Sequence, residues 1–328
     1  MITDSQAVSY GILAIYAEDT FSKSKGNLVP IADPGIACAG WEIVANVMAR
    51  DALIPKIGDK NRSLTNSDSN VYYGYVAYKK ENPNSWVVVI RGTQRVVEWV
   101  IDAEFTPKDH PTCADAKVER GFWGIYSTME LTDIATGRMI NSNTVDGIAN
   151  FVDKGTVTII GHSLGSALAT YLSFDLARKL DDRVSACLFA SPRTGDNAWV
   201  NNYEKMVKNY NLYNYLIDVV THVPPRPLYA PLVKERRIEP NTAQAGIRLD
   251  LGCNHHVICY CAMLDYALTK KYIGMRNSCE NDCILGDKSK VTDGSRLLAN
   301  AVKMCSADDA IMDELNAIFH THASPTRM

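Results

Sequence analysis

Five residues carry the first chemical signal: Gly161-His162-Ser163-Leu164-Gly165, a G-x-S-x-G pattern. Its serine is a candidate nucleophile. A serine hydroxyl attacks poorly at neutral pH, so it needs a base within hydrogen-bond reach and an acid that orients the base. Behind such a pattern the partners follow in the order Ser, Asp/Glu, His, each from a loop at a strand end. Asp218 fits the acid, because it directly follows the apolar run Leu212–Ile217. The chain has seven histidines. His162 sits inside the pattern, His110 precedes the serine, His222 shares the loop of Asp218, and His320 and His322 lie at the C-terminal end. His255 and His256 remain, and residue order does not choose between them. A tetrahedral intermediate also needs preorganised donors. The N–H of Leu164 is one, and the N–H of Thr93, with its hydroxyl in support, is the other.

These residues need elements to hold them. Thr156–Ile160 is a short β-branched run, and Ser166–Leu180 has apolar residues at helical spacing, so the serine stands at a strand-to-helix turn. A Cβ at either flanking glycine would clash with the neighbouring strand and helix. Strands are also expected at Val71–Tyr78, Trp86–Ile90, Val184–Ala190 and Leu212–Ile217. Helices are expected at Ser5–Phe21, Trp41–Leu53, Phe122–Ile134, Val145–Val152, Trp199–Val207 and Val257–Lys271. The stretch 93–107, with Val96, Val97, Trp99 and Val100 clustered on it, reads as a further short helix. Two more are expected at Arg296–Met304 and Ala307–Phe319, with a disordered tail over 320–328. Residues 58–70 and the stretch from Val223 to Cys253 read as irregular. Strands alternating with helices imply a mostly parallel central sheet with helices on both faces. No linker divides the chain, so residues 1–328 read as one domain.

Composition excludes several classes. With 46% hydrophobic and 22% charged residues, the chain is globular. A net charge of −3 argues against a nucleic-acid or anionic-membrane partner. No segment reaches the length of a membrane span. The N-terminus lacks a basic region ahead of an apolar one, so the chain is expected to be cytoplasmic, or exported by a leader not in this sequence. Nine cysteines leave at least one unpaired, and six of them (Cys253, Cys259, Cys261, Cys279, Cys283 and Cys305) crowd the C-terminal third. Buried free thiols are the first expectation and one or two C-terminal disulfides the second. There is no C-x-x-C pair, and no metal or cofactor is called for.

Taken together, the chain resembles the class 3 lipases, the fungal-lipase-like branch of the α/β-hydrolases. The resemblance rests on ordered pieces: Val89-Ile90-Arg91-Gly92-Thr93, then Glu98-Trp99 and Asp102, then Val118-Glu119-Arg120-Gly121-Phe122. Gly161–Ala169, Phe189–Asp196 and Asp218–Pro225 complete it. It implies an α/β-hydrolase fold and long-chain acyl esters as substrates, met at a lipid–water interface. It carries the nucleophile onto Ser163, the acid onto Asp218 and the oxyanion donors onto Thr93 and Leu164. It also implies that Asp102 supports the Thr93 hydroxyl, and that the Trp99 helix is a lid. An H-x-x-x-x-Y spacing seen in bacterial and plant-type relatives selects His255, paired with Tyr260. Glu119 departs from the family pattern, where histidine is common. The expected function is a lipase cleaving acylglycerol esters through an acyl-enzyme. A short-chain carboxylesterase, a phospholipase A1-type enzyme and a catalytically silent lipid-binding module are the alternatives.

Overall fold

The run Trp86–Ile90 is apolar at every position, and such a strand must be covered on both faces. It lies in the middle of the sheet. The computed structural model describes residues 2–24, 27–50, 70–93, 105–275 and 278–287. The expected lid helix (Val96, Val97, Trp99, Val100), Asp102, most of the 58–70 loop, Cys305, the two C-terminal helices and the tail lie outside the described residues.

The described strands are β1 (Trp41–Arg50), β2 (Asn70–Lys79), β3 (Asn82–Ile90), β4 (Pro107–Asp109), β5 (Lys117–Glu119), β6 (Glu130–Thr132) and β7 (Met139–Asn141). They continue with β8 (Thr156–His162), β9 (Val184–Phe189), β10 (Asn209–Tyr215), β11 (Glu235–Ile238), β12 (Ala245–Ile247) and β13 (Ile284–Asp287). Nine of them form one sheet in the order β11-β10-β9-β8-β3-β2-β1-β6-β7. The sheet is mixed. From β11 to β3 every pairing is parallel, and from β3 to β7 every pairing is antiparallel. In the parallel half the strand ends align: Ile90 lies opposite Gly161, His162 opposite Phe189, and Phe189 opposite Tyr213. Arg91, Ser163, Ala190 and the Leu216–Asp218 loop therefore emerge along one edge, where ligands of open α/β sheets bind.

Two helix layers cover the sheet. Helix α1 (Asp4–Ser24) packs with the helix Val257–Leu264 on one face. The helices Arg120–Tyr126, Thr144–Val152, Leu164–Leu180 and Asn197–Met206 pack together on the other. The helix Leu164–Leu180 is buried along nearly its whole length, so it is a core element.

The structure corrects several expectations. Residues 41–50 form a strand, β1, and not a helix. Two register shifts, between Ile43 and Ala45 and between Val47 and Met48, break the two-residue alternation that would have marked it. Residues Ala45 to Ala49 are all buried, because β1 is flanked by β2 and β6 and covered on both faces. The helix expected at Phe122–Ile134 ends at Tyr126, and residues 130–132 pair with β1 as a strand too short to show a period. The helix expected at Val257–Lys271 is two helices, split at Asp265, whose side chain caps the second by accepting from the N–H of Leu268. The irregular stretch after Val223 contains β11 and β12. Cys253 and Cys283 form a disulfide, while Cys38, Cys113, Cys187, Cys259, Cys261 and Cys279 are free.

The elbow glycines leave no room for a side chain. A Cβ on Gly165 would lie 2.3 Å from the carbonyl oxygen of Ile90, and one on Gly161 would lie 2.5 Å from that of Gly165. Gly165→Ala is expected to cost about 1–3 kcal/mol by urea unfolding. Gly124→Ala, where a Cβ meets nothing within 4 Å, is the control, expected to be neutral or stabilising by up to about 1 kcal/mol.

Candidate active site

Ser163 stands between β8 and the helix Leu164–Leu180 with φ 59° and ψ −129°, a conformation that L-residues avoid. Its N–H donates to the carbonyl of Phe189 over 2.9 Å. Ser166 fastens the same strand end, donating from Oγ to the Phe189 carbonyl and accepting from the Phe189 N–H. The strained turn is thus held by backbone on β9. Leu164 is the first residue of the helix, so its N–H is one of the helix's orphan donors. On the other side, a Cβ on Gly92 would lie 3.1 Å from the Ser163 Cβ. This places the Arg91-Gly92-Thr93 exit from β3 directly on the elbow.

Asp218 is 1% exposed and holds three donors. Its Oδ1 accepts from the N–H of Val220, and its Oδ2 accepts from the Tyr260 hydroxyl at 2.7 Å and from Nδ1 of His255 at 2.8 Å. Tyr260 in turn accepts from the N–H of Tyr215. Burial, followed by the nearby Asp218 charge, pushes the Tyr260 phenol well above its ordinary 10, which keeps it a donor. The carboxylate fixes the His255 proton on Nδ1 and leaves the Nε2 lone pair free. His256 faces away: its Nδ1 is 3.6 Å from Glu280, and its side chain is 37% exposed. Of the two histidines that residue order left open, His255 is the one bonded to Asp218.

Ser163 Oγ and His255 Nε2 are both buried, and neither has a hydrogen-bond partner among the described residues. Two unpaired polar atoms in a buried site call for a functional explanation. They do not bond each other in this structure; catalytic contacts in unliganded sites are often long and tighten on substrate.

His222 bonds the Leu216 carbonyl through Nε2, and His110 stacks on Trp199 and meets Trp123 and Phe174 edge-on. Glu119 caps the helix Arg120–Tyr126 by accepting from the Phe122 N–H; burial raises its carboxyl above the ordinary value despite that bond. The residue that sequence reasoning missed is Glu18. It lies on α1, far from every motif in sequence, and its Oε1 is 2.7 Å from His162 Nδ1. Burial works to raise the Glu18 carboxyl, but the charge and hydrogen bond of His162, together with the nearby His256 and Arg91, leave it lowered. Burial works to lower His162, but the charge and hydrogen bond of Glu18, together with the His255 carbonyl and Asp218, leave it raised. The charged pair adds stability that is lost as pH falls through the lowered Glu18 value or rises through the raised His162 value.

The fold is that of an α/β-hydrolase, with Ser163 at the elbow and His255 paired with Asp218. Residues 87–228, less than half of the chain, match the family model described as lipase (class 3). That match includes Thr93, Ser163, Leu164 and Asp218 and ends before His255. Among curated proteins, the chain is 28% identical over 203 residues to phospholipase A1-II 2 of Oryza sativa subsp. indica, covering 52% of this chain and 50% of that one. It is 29% identical over 142 residues to a lipase of Rhizomucor miehei, covering 42% and 37%. The chain thus spans half or less of the length of these relatives. The crystal structure of a mutant form of MDLA from Penicillium cyclopium shares the fold, with a TM-score of 0.51 at 22% identity over 72% of this chain and 78% of that one. No helix among the described residues is long and apolar enough to cross a membrane.

Two measurements check the site. His255→Ala is expected to lower kcat on a soluble ester by about 10⁴-fold, and His256→Ala by less than about 10-fold. The disulfide ties the short helix Leu251–His255 to the segment that carries β13, across a sequence separation of 30. Its loss in Cys253→Ser/Cys283→Ser is expected to cost about 3–4 kcal/mol of stability in denaturant unfolding, the loop-closure value for that span.

Proposed function

We propose that the chain is a serine carboxylic ester hydrolase of the lipase type, cleaving acyl esters of glycerolipids through an acyl-enzyme. Ser163 Oγ attacks the ester carbonyl while His255 Nε2 takes its proton. Asp218, held by Tyr260 and the Val220 N–H, orients the imidazole and stabilises its charge. The oxyanion is received by the N–H groups of Leu164 and Thr93. His255 then returns the proton to the departing alcohol, activates a water, and the acyl-enzyme is hydrolysed. Asp102 and the stretch around Trp99 keep their expected roles, support of the Thr93 hydroxyl and a lid over the serine.

The observation that carries this reading is the buried His255–Asp218–Tyr260 cluster beside a serine held at positive φ, with Ser163 Oγ and His255 Nε2 left unbonded. The lipase and phospholipase A1 relatives supply the substrate class. The phospholipase A1 similarity favours one second reading, a phospholipid acyl hydrolase using the same residues. Relative rates on phosphatidylcholine and triacylglycerol emulsions separate the two.

A fluorophosphonate is expected to label Ser163 stoichiometrically, and Ser163→Ala to lose both the label and about 10⁵-fold or more of kcat on a soluble ester. An unlabelled Ser163, or an active Ser163→Ala, would overturn the reading and leave a silent hydrolase-like module.

A further inference from the structure

Both ring nitrogens of His162 face acceptors. Nδ1 lies 2.7 Å from Oε1 of Glu18, and Nε2 lies 2.8 Å from the backbone oxygen of His255. A carbonyl oxygen only accepts, so Nε2 carries a proton. Nδ1 and the carboxylate share the second one. A contact path therefore runs from α1 across the elbow to the candidate base. It is short, because His162 is covalently next to Ser163. Asp218, itself held by the Tyr260 hydroxyl, holds the ring of His255, whereas His162 holds its main chain.

Glu18 is an unexpected residue in its position. It lies seven residues after Gly11 and four after Ala14, on the stripe of α1 that faces the sheet. A carboxylate on an apolar stripe is costly unless it is paired. Anchoring α1 would be achieved more cheaply by an aliphatic side chain. The groups facing the pair are Arg91 from the end of β3, Asp218 after β10, and His255 and His256 at the start of the C-terminal helices. The rings of His162 and His255 are 4.9 Å apart between centroids.

We infer that Glu18 is a positioning residue for the reaction: by fixing the His162 ring it directs Nε2–H onto the His255 carbonyl, and so sets the placement of the His255 imidazole relative to the Ser163 hydroxyl. This rests on the reading of Ser163 and His255 as nucleophile and base. Its consequence for pH follows from the donors. When His162 loses its shared proton, a lone pair on Nδ1 faces the Glu18 carboxylate, the ring loses its grip and kcat falls on the alkaline side. In Glu18→Gln the amide N–H can donate to that lone pair, so the grip survives deprotonation.

The test uses the full chain, a soluble p-nitrophenyl ester and three variants. Glu18→Leu is expected to lower kcat by about 10–100-fold, the scale of an ångström-level misplacement, with KM changed less than about 2-fold. Glu18→Gln is expected to stay within about 3-fold of the parent at neutral pH and to lose the alkaline fall in kcat, a readout that a merely anchoring role would not move. An unaltered kcat in Glu18→Leu, a loss confined to KM, or an alkaline limb unchanged in Glu18→Gln would overturn the role. If Glu18→Leu fails to fold, the Glu18→Gln profile decides alone. Ser163→Ala runs alongside. Retained activity there overturns the reading of the site and this role with it; an inactive Ser163→Ala beside an unaltered Glu18→Leu overturns this role alone.

Discussion

The main chain at Ser163 is held where an L-residue does not rest, and the surrounding structure follows from keeping it there. A φ of 59° is maintained because the helix Leu164–Leu180 starts hard against the end of β3. No side chain fits between Gly165 and the Ile90 and Arg91 carbonyls. The Ser163 N–H and the Ser166 hydroxyl bond to the end of β9, so the turn is clamped between two strands. Strain of this kind costs of order 1–3 kcal/mol and persists only where packing over-determines it. The reward is geometric: the hydroxyl stands clear of the sheet edge, beside the first N–H of a buried helix.

The second organising feature is a pair of carboxylates on either side of the same elbow. Asp218 meets the His255 ring, and Glu18 meets the His162 ring, which reaches the His255 main chain. Each carboxylate is stabilised by hydrogen bonds and by the imidazole it faces, so burial is tolerated. The two come from distant parts of the chain, α1 and the loop after β10. α1 packs directly on the helix Val257–Leu264, with Gly11 against Cys261 and Val257.

Much of this was legible in the sequence because it was local. β3, β8 and β9 are apolar on both faces and announce themselves; Ser163 and Asp218 sit at strand ends that those runs define. Tyr260 was implied by the family resemblance, through its spacing from His255, and it bonds the carboxylate that His255 bonds. What was not legible depends on distant neighbours. β1 carries two bulges that scramble its alternation, so its residues passed for a helix. The break at Asp265 is set by a side-chain cap within an otherwise apolar run. Cysteine pairing cannot be read from spacing, and Cys253 meets Cys283 beside the pairing of β12 and β13. Glu18 had no signal at all, since nothing in α1 indicates which histidine it will meet.

The central claim is that Ser163 and His255 act on one acyl carbon with the oxyanion turned toward Leu164 and Thr93. A crystal structure of the phosphonate adduct tests it most directly. The expected result is phosphorus bonded to Ser163 Oγ, its oxygen about 3 Å from the N–H groups of Leu164 and Thr93, and His255 Nε2 within hydrogen-bond reach of Oγ or the leaving-group position. An adduct whose oxygen points to solvent, or one on any residue other than Ser163, would contradict it.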